Sequence, residues 1–117
     1  MDFFNLLEQQ FADNPWTAHT TFEGVELKQL VGGAQTEGKC SFHLVRIAPN
    51  CQIGNHIHAQ QMETHEVIAG NGFCINNGEK LAYTPGTIAI MPQGAPHQVC
   101  AGQDGLYLMA KFIPALS

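Results

Sequence analysis

Asn55-His56-Ile57-His58-Ala59-Gln60-Gln61-Met62-Glu63-Thr64-His65-Glu66-Val67-Ile68 is the stretch that decides the fold. Side chains alternate faces along an extended strand, so His56 and His58 project together from one face. After the short interruption 59–62 a new strand opens, in which Glu63, His65 and Val67 share a face. If the two faces meet, Glu63 sets a carboxylate beside two imidazoles. A further histidine, His97, follows Met91-Pro92-Gln93-Gly94-Ala95-Pro96 far downstream, and it joins the cluster only if distant strands are brought together. That requirement predicts a barrel, with His56, His58, Glu63 and His97 as the ligands of one divalent transition metal per chain.

These residues resemble the two motifs of the cupin superfamily. The first, G-x5-H-x-H-x(3,4)-E-x6-G, is met by His56, His58, Glu63 and Gly70, with Asn50 in place of the opening glycine. Asn tolerates positive φ better than most residues, so Pro49-Asn50 still suits a tight turn. The second, G-x5-P-x-G-x2-H-x3-N, is met by Gly86, Pro92, Gly94 and His97, with Ala101 where the family has an asparagine that is not a metal ligand. The spacer 71–85 is short, as in compact single-domain bacterial members. The resemblance covers residues from about 40 to 113. It implies an all-β fold, a double-stranded β-helix (jelly-roll) cupin barrel, and fills all four ligand positions of the family.

The rest of the chain agrees. Asp2 can cap a short N-terminal helix running to about Ala12, with Phe4, Leu7 and Phe11 on one face that must cover the barrel or a second subunit. Asn14-Pro15-Trp16 breaks it. Strands are expected at 23–30, ended by Gly32-Gly33, and at 41–48, 63–68, 73–75, 80–83, 87–91 and 106–113. Asn77-Gly78 between two of them is a hairpin signal. The expectation is one cupin domain over 1–117, with a helical segment at 1–15 and the barrel over about 23–113. Twelve glycines, six prolines and 13% charged residues suit many short strands joined by tight turns.

With a formal net charge of −5 and five scattered basic residues, the chain shows no electrostatic footprint for nucleic acid or an anionic membrane. No stretch approaches the roughly 18 apolar residues that span a bilayer, and the start lacks a basic leader, so a cytoplasmic protein is expected. Cys40, Cys51, Cys74 and Cys100 form no C-x-x-C pair and read as reduced, mostly buried thiols. Sheet edges and the Phe-rich helix are suitable material for a homodimer.

Three neutral imidazoles and one carboxylate around a divalent ion leave a positive site with open coordination positions. This donor set suits Fe, Mn, Ni or Zn, with iron placed first. His65, two residues after Glu63, faces the same lumen and reads either as a general base or as a partner that orients Glu63. His43 reads as a packing residue and His19 has no assigned role. Arg46 is the sole arginine, which disfavours phosphosugars and dicarboxylates, since such anions are held by guanidinium forks. The functional expectation is a metal-dependent enzyme acting on a small, weakly charged organic molecule, with dioxygenation placed first. Alternatives are a non-catalytic binding or sensing barrel with an anchoring metal, or an isomerase, lyase or decarboxylase.

Overall fold

A long antiparallel ribbon organises the chain. The computed structural model describes residues 2–117. In chain order the elements are α1 (Phe3–Gln10), β1 (Thr17–Ala18), β2 (Val25–Val31), α2 (Gly33–Thr36), β3 (Ser41–Ile47), β4 (Gln52–His56), β5 (Met62–Asn76), β6 (Glu79–Tyr83), β7 (Ile88–Met91) and β8 (His97–Ile113). The strands are antiparallel in the order β1-β2-β3-β8-β5-β6, with β4 also on β8 and β7 also on β5. β5 and β8 pair from Met62–Ile113 at one end to Asn76–His97 at the other.

That ribbon is bent back on itself, and glycine makes the bend possible. The register slips between Val67 and Ala69 and again between Gly70 and Gly72, the signature of β-bulges. Gly70 has φ +83°, and a Cβ there would run into the backbone of Gly105 and Leu106; one at Gly72 would run into the Cys100 carbonyl. One half of the ribbon then pairs with β3 and β7, the other with β4 and β6. Val25, Val45, Val67, Met91, Val99, Leu106 and Leu108 fill the interior. This is the all-β jelly roll with one N-terminal helix that the sequence implies.

Local details differ from expectation for identifiable reasons. Helix α1 begins as expected, with the Asp2 carboxylate accepting from the Asn5 N–H at 2.8 Å, but ends at Gln10 rather than Ala12 as the chain turns at Phe11 to Asn14. Gly32 does not simply end a strand; it precedes the one-turn helix α2. β5 and β8 each run through stretches read as separate strands or as loop, because their bulges let one strand serve both sheets. The Asn77-Gly78 hairpin forms as expected, with φ 50° and 87°, and Asn50 adopts φ 61° in its turn. No helix among the described residues is long and apolar enough to cross a membrane.

On the outer face, Leu30, Leu44 and Met109 lie under Phe4, Leu7, Phe11 and Trp16, so α1 covers the barrel of its own chain. Arg46 lies on this outer side, stacked 4.1 Å over Trp16 and paired with Glu26 at 2.8 Å. Lys28 is nearly buried, and its ammonium reaches Glu8 of α1 at 2.9 Å; Trp16 Nε1 donates to the other Glu8 oxygen at 3.3 Å. Removing the carboxylate strands the ammonium. Glu8→Ala is expected to cost about 2–3 kcal/mol, whereas Lys28→Met, which removes the charge that must be desolvated, is expected to be nearly neutral. Urea titration of the two variants checks this ordering; equal losses would contradict it.

Candidate metal centre

Bending the ribbon brings its ends together. Laid flat, the distance from the Glu63–Phe112 pair to the Asn76–His97 pair would be roughly 40 Å at about 3.3 Å per residue. Folded, Glu63 Oε1 lies 3.1 Å from His97 Nε2 and 3.4 Å from His58 Nε2. His97 is opposite His56 across the β4–β8 ladder, with their rings 4.2 Å apart. His58 lies two residues beyond the end of β4, and its ring still stands 5.0 Å from that of His56. The four expected ligands therefore converge, with one donor atom from each inside a span of 4.8 Å.

The donors fit a divalent ion by their chemistry as well as their spacing. At metal–ligand bonds of about 2.1 Å, opposite ligands are held roughly 4.2 Å apart. His56 Nδ1–H donates to the Gly54 carbonyl at 2.7 Å and His97 Nδ1–H to the Ala95 carbonyl at 3.2 Å. Each bond spends the ring proton on the backbone and leaves an Nε2 lone pair free, the arrangement seen in metal-ligating histidines. Glu63 Oε1 and His97 Nε2 are both buried without a hydrogen-bond partner; they lie close, but not in hydrogen-bonding geometry. Two buried acceptors aimed at one point call for a cation between them.

Burial lowers the proton affinity of His56 and His58, although the Glu63 charge beside both and the Gly54 carbonyl beside His56 pull the other way. Burial also works against ionisation of Glu63, but His65, whose ring meets Oε2, outweighs it and holds the carboxyl well below the usual range. The cluster is thus prepared for a metal: His56 and His58 give up their protons readily, and the Glu63 carboxylate is charged.

His65 is buried beneath the carboxylate. Its Nε2 meets Glu63 Oε2 at 2.7 Å and its Nδ1 meets the Tyr83 hydroxyl at 2.9 Å. The Cys74 thiol lies against that hydroxyl, and burial raises the proton affinity of both groups. With Nε2–H donating to Glu63 and Tyr83 donating to Nδ1, the chain of bonds turns Oε1 towards the cluster. The sequence places His65 on the right face, but Tyr83 and Cys74 lie on other turns of the ribbon and no spacing connects them to it. His43 is a packing residue here: it bonds Ser41 at 3.0 Å and stands edge-on to Phe112 at 5.4 Å.

A small chamber of about 90 Å³ adjoins the cluster, walled by His19, Val25, Leu27, Val45, Ile53, Phe112 and Leu116. Among the described residues no lysine or arginine lines it. Two larger hollows, of about 270 and about 300 Å³, lie beside Arg46 and beneath Phe3, away from the converged donors.

Comparison with known proteins gives three findings. A family model described as Cupin domain matches residues 43–110. No curated protein matches the chain in sequence. Among solved structures, a predicted oxalate decarboxylase from Thermotoga maritima superimposes with a TM-score of 0.81 at 20% identity, over 89% of this chain and 96% of that one. KdgF from Halomonas sp. gives 0.77 at 17% identity over 88% of each chain. Ectoine synthase from P. lautus gives 0.77 at 18% identity, over 93% of this chain and 76% of that one.

Two outcomes are expected from metal titration. Cobalt(II) or zinc should raise the melting temperature of the wild type and leave His97→Ala unmoved, since only a folded site binds the ion. Loading should survive to below pH 6.5, the ordinary histidine value, and fail on further acidification as protons displace the ion from His56 and His58. Loss already complete above that pH would contradict the lowered proton affinities. For the bonds behind the site, His65→Ala should weaken cobalt affinity by about 10–100-fold and Tyr83→Phe by less, with the fold retained; an unchanged affinity in both would deny them any role in orienting Glu63.

Proposed function

The chain belongs to the cupin family, and from that premise we propose that it is a metal-dependent enzyme acting on a small, weakly charged organic molecule, with dioxygenation as the reaction class. The observation that carries this reading is the convergence of His56, His58, Glu63 and His97 on one point at the edge of an apolar chamber.

His56, His58 and His97 would hold the ion through Nε2 and Glu63 through Oε1. A divalent ion held there supplies positive charge and open coordination positions next to the chamber, and iron supplies in addition redox chemistry towards O2. The protein's own part is to bind and to exclude water. The apolar wall favours a ligand without formal charge, because among the described residues no lysine or arginine lines the chamber to pair with a phosphate or a second carboxylate.

The state of His65 bears on the reaction class. Both of its ring nitrogens are taken, one by Glu63 and one by Tyr83, so we assign it the positioning of Glu63 rather than proton transfer to substrate. Reactions that need a protein base inside the chamber, such as enolisation, are less well served than one in which O2 is the co-reactant. Decarboxylase chemistry, named for the neighbour from Thermotoga maritima, forms the second reading, resting on the shared fold.

The test is anaerobic reconstitution with iron(II), followed by O2 electrode measurements over a panel of small thiols and ketones. Substrate-dependent O2 uptake, lost in His58→Ala and His97→Ala, is the expected result. Turnover without O2 uptake would move the assignment to the non-oxidative classes, and metal binding with no turnover would favour a binding or sensing barrel.

A further inference from the structure

We infer that His19 is a substrate-orienting hydrogen-bond donor of the chamber, and that the ligand class it selects is a small, largely apolar molecule carrying a carbonyl-type oxygen near its metal-binding group. The inference rests on the metal-dependent reading above and specifies its substrate.

Four observations carry it. His19 lines the same chamber as the metal cluster, and outside that cluster and His65 it is the only polar side chain among the described residues of the wall. Its Nδ1 accepts from the backbone N–H groups of Thr21 at 3.0 Å and Phe22 at 3.2 Å. An acceptor needs a lone pair, so the proton of the neutral ring sits on Nε2, at the opposite edge from the loop. The residue is also anchored: its own N–H donates to the Val25 carbonyl at 2.8 Å, and its ring packs on Phe22 at 4.8 Å, which in turn stands 6.1 Å from His56.

The other five histidines are committed, four to the cluster and its Glu63 and His43 to Ser41. His19 Nε2–H is the donor left over, and a donor on an apolar wall selects an acceptor. The chamber, at about 90 Å³, is smaller than the roughly 150 Å³ cavity that takes a benzene ring, so it holds a fragment of a few heavy atoms. An oxygen on that fragment meets His19 while the metal-binding group meets the cluster.

Cobalt(II)-loaded protein tests this with two probes of matched size, mercaptoacetone and 1-propanethiol, which differ by one carbonyl oxygen and whose thiolates are read by absorption on the cobalt. Chelation by mercaptoacetone itself is common to all proteins compared and cancels in the ratio. Two variants separate the donor from the loop. His19→Phe keeps the ring but loses both nitrogens; His19→Asn keeps an acceptor for the Thr21 N–H, as in an Asx turn, and is too short to reach the chamber. The wild type should prefer mercaptoacetone by roughly three- to tenfold more than either variant, the worth of one hydrogen bond, with 1-propanethiol binding unchanged. A preference of equal size in wild type and His19→Asn overturns the inference while leaving the metal reading intact. Failure of the wild type to bind cobalt overturns the metal reading and the inference with it.

Discussion

The pairing of β5 with β8, and its bend, is the constraint on which everything else depends. A straight ribbon of this length would be an exposed two-stranded structure with no interior. Bent at Gly70 and Gly72, it belongs to both walls of the barrel, and its two faces become inside and outside. The same bend sets Glu63, near one end, against His97, at the other. Fold and site therefore share one cause, and a side chain at Gly72 would damage both, since its Cβ meets backbone rather than a movable side chain.

Placing a carboxylate at that junction is costly, because desolvating an ion costs several kcal/mol even after the protein relaxes. Glu63 is only 5% exposed. Its Oε2 is compensated by His65, whereas Oε1 has no hydrogen-bond partner. A carboxylate compensated on one side and bare on the other is poor design for stability and good design for holding a cation. The imbalance identifies which oxygen would face an ion held there, and it gives the burial of His65 and Tyr83 a purpose: looseness there would let Oε1 turn away from the cluster.

The cluster was legible in the sequence because its signal is spacing, and spacing survives without coordinates. His56, His58 and Glu63 are near neighbours, and Pro92, Gly94 and His97 mark the second motif. Hairpin and cap residues, Asn77-Gly78 and Asp2, were legible for the same local reason. The length of β5 and β8 was not, because glycines inside a strand read as ends until the bulges show that the strand continues through them. Nor were the partners of His65. Tyr83 comes 18 residues later on another strand, and only the barrel closure brings its hydroxyl to the imidazole. Arg46 could be assigned to a face by alternation but not to inside or outside, which depends on which side α1 covers.

The histidines finally show how backbone chemistry, more than residue type, decides what an imidazole does. In His56 and His97 the Nδ1 atom meets the carbonyl two residues earlier, which takes the ring proton and leaves the Nε2 lone pair free. In His19 the same atom meets backbone N–H groups two and three residues later, which demands the opposite tautomer and turns Nε2 into a donor. His65 meets side chains at both nitrogens and becomes a strut. Identical rings are thus divided, by the groups that meet their nitrogens, into those with a free Nε2 lone pair, one with a free Nε2–H and one held at both nitrogens. Since that direction is set by turns and strand ends, the chemistry of the chamber is written into the loops at the barrel mouth, and small changes there would alter what it binds without disturbing the ribbon that holds it.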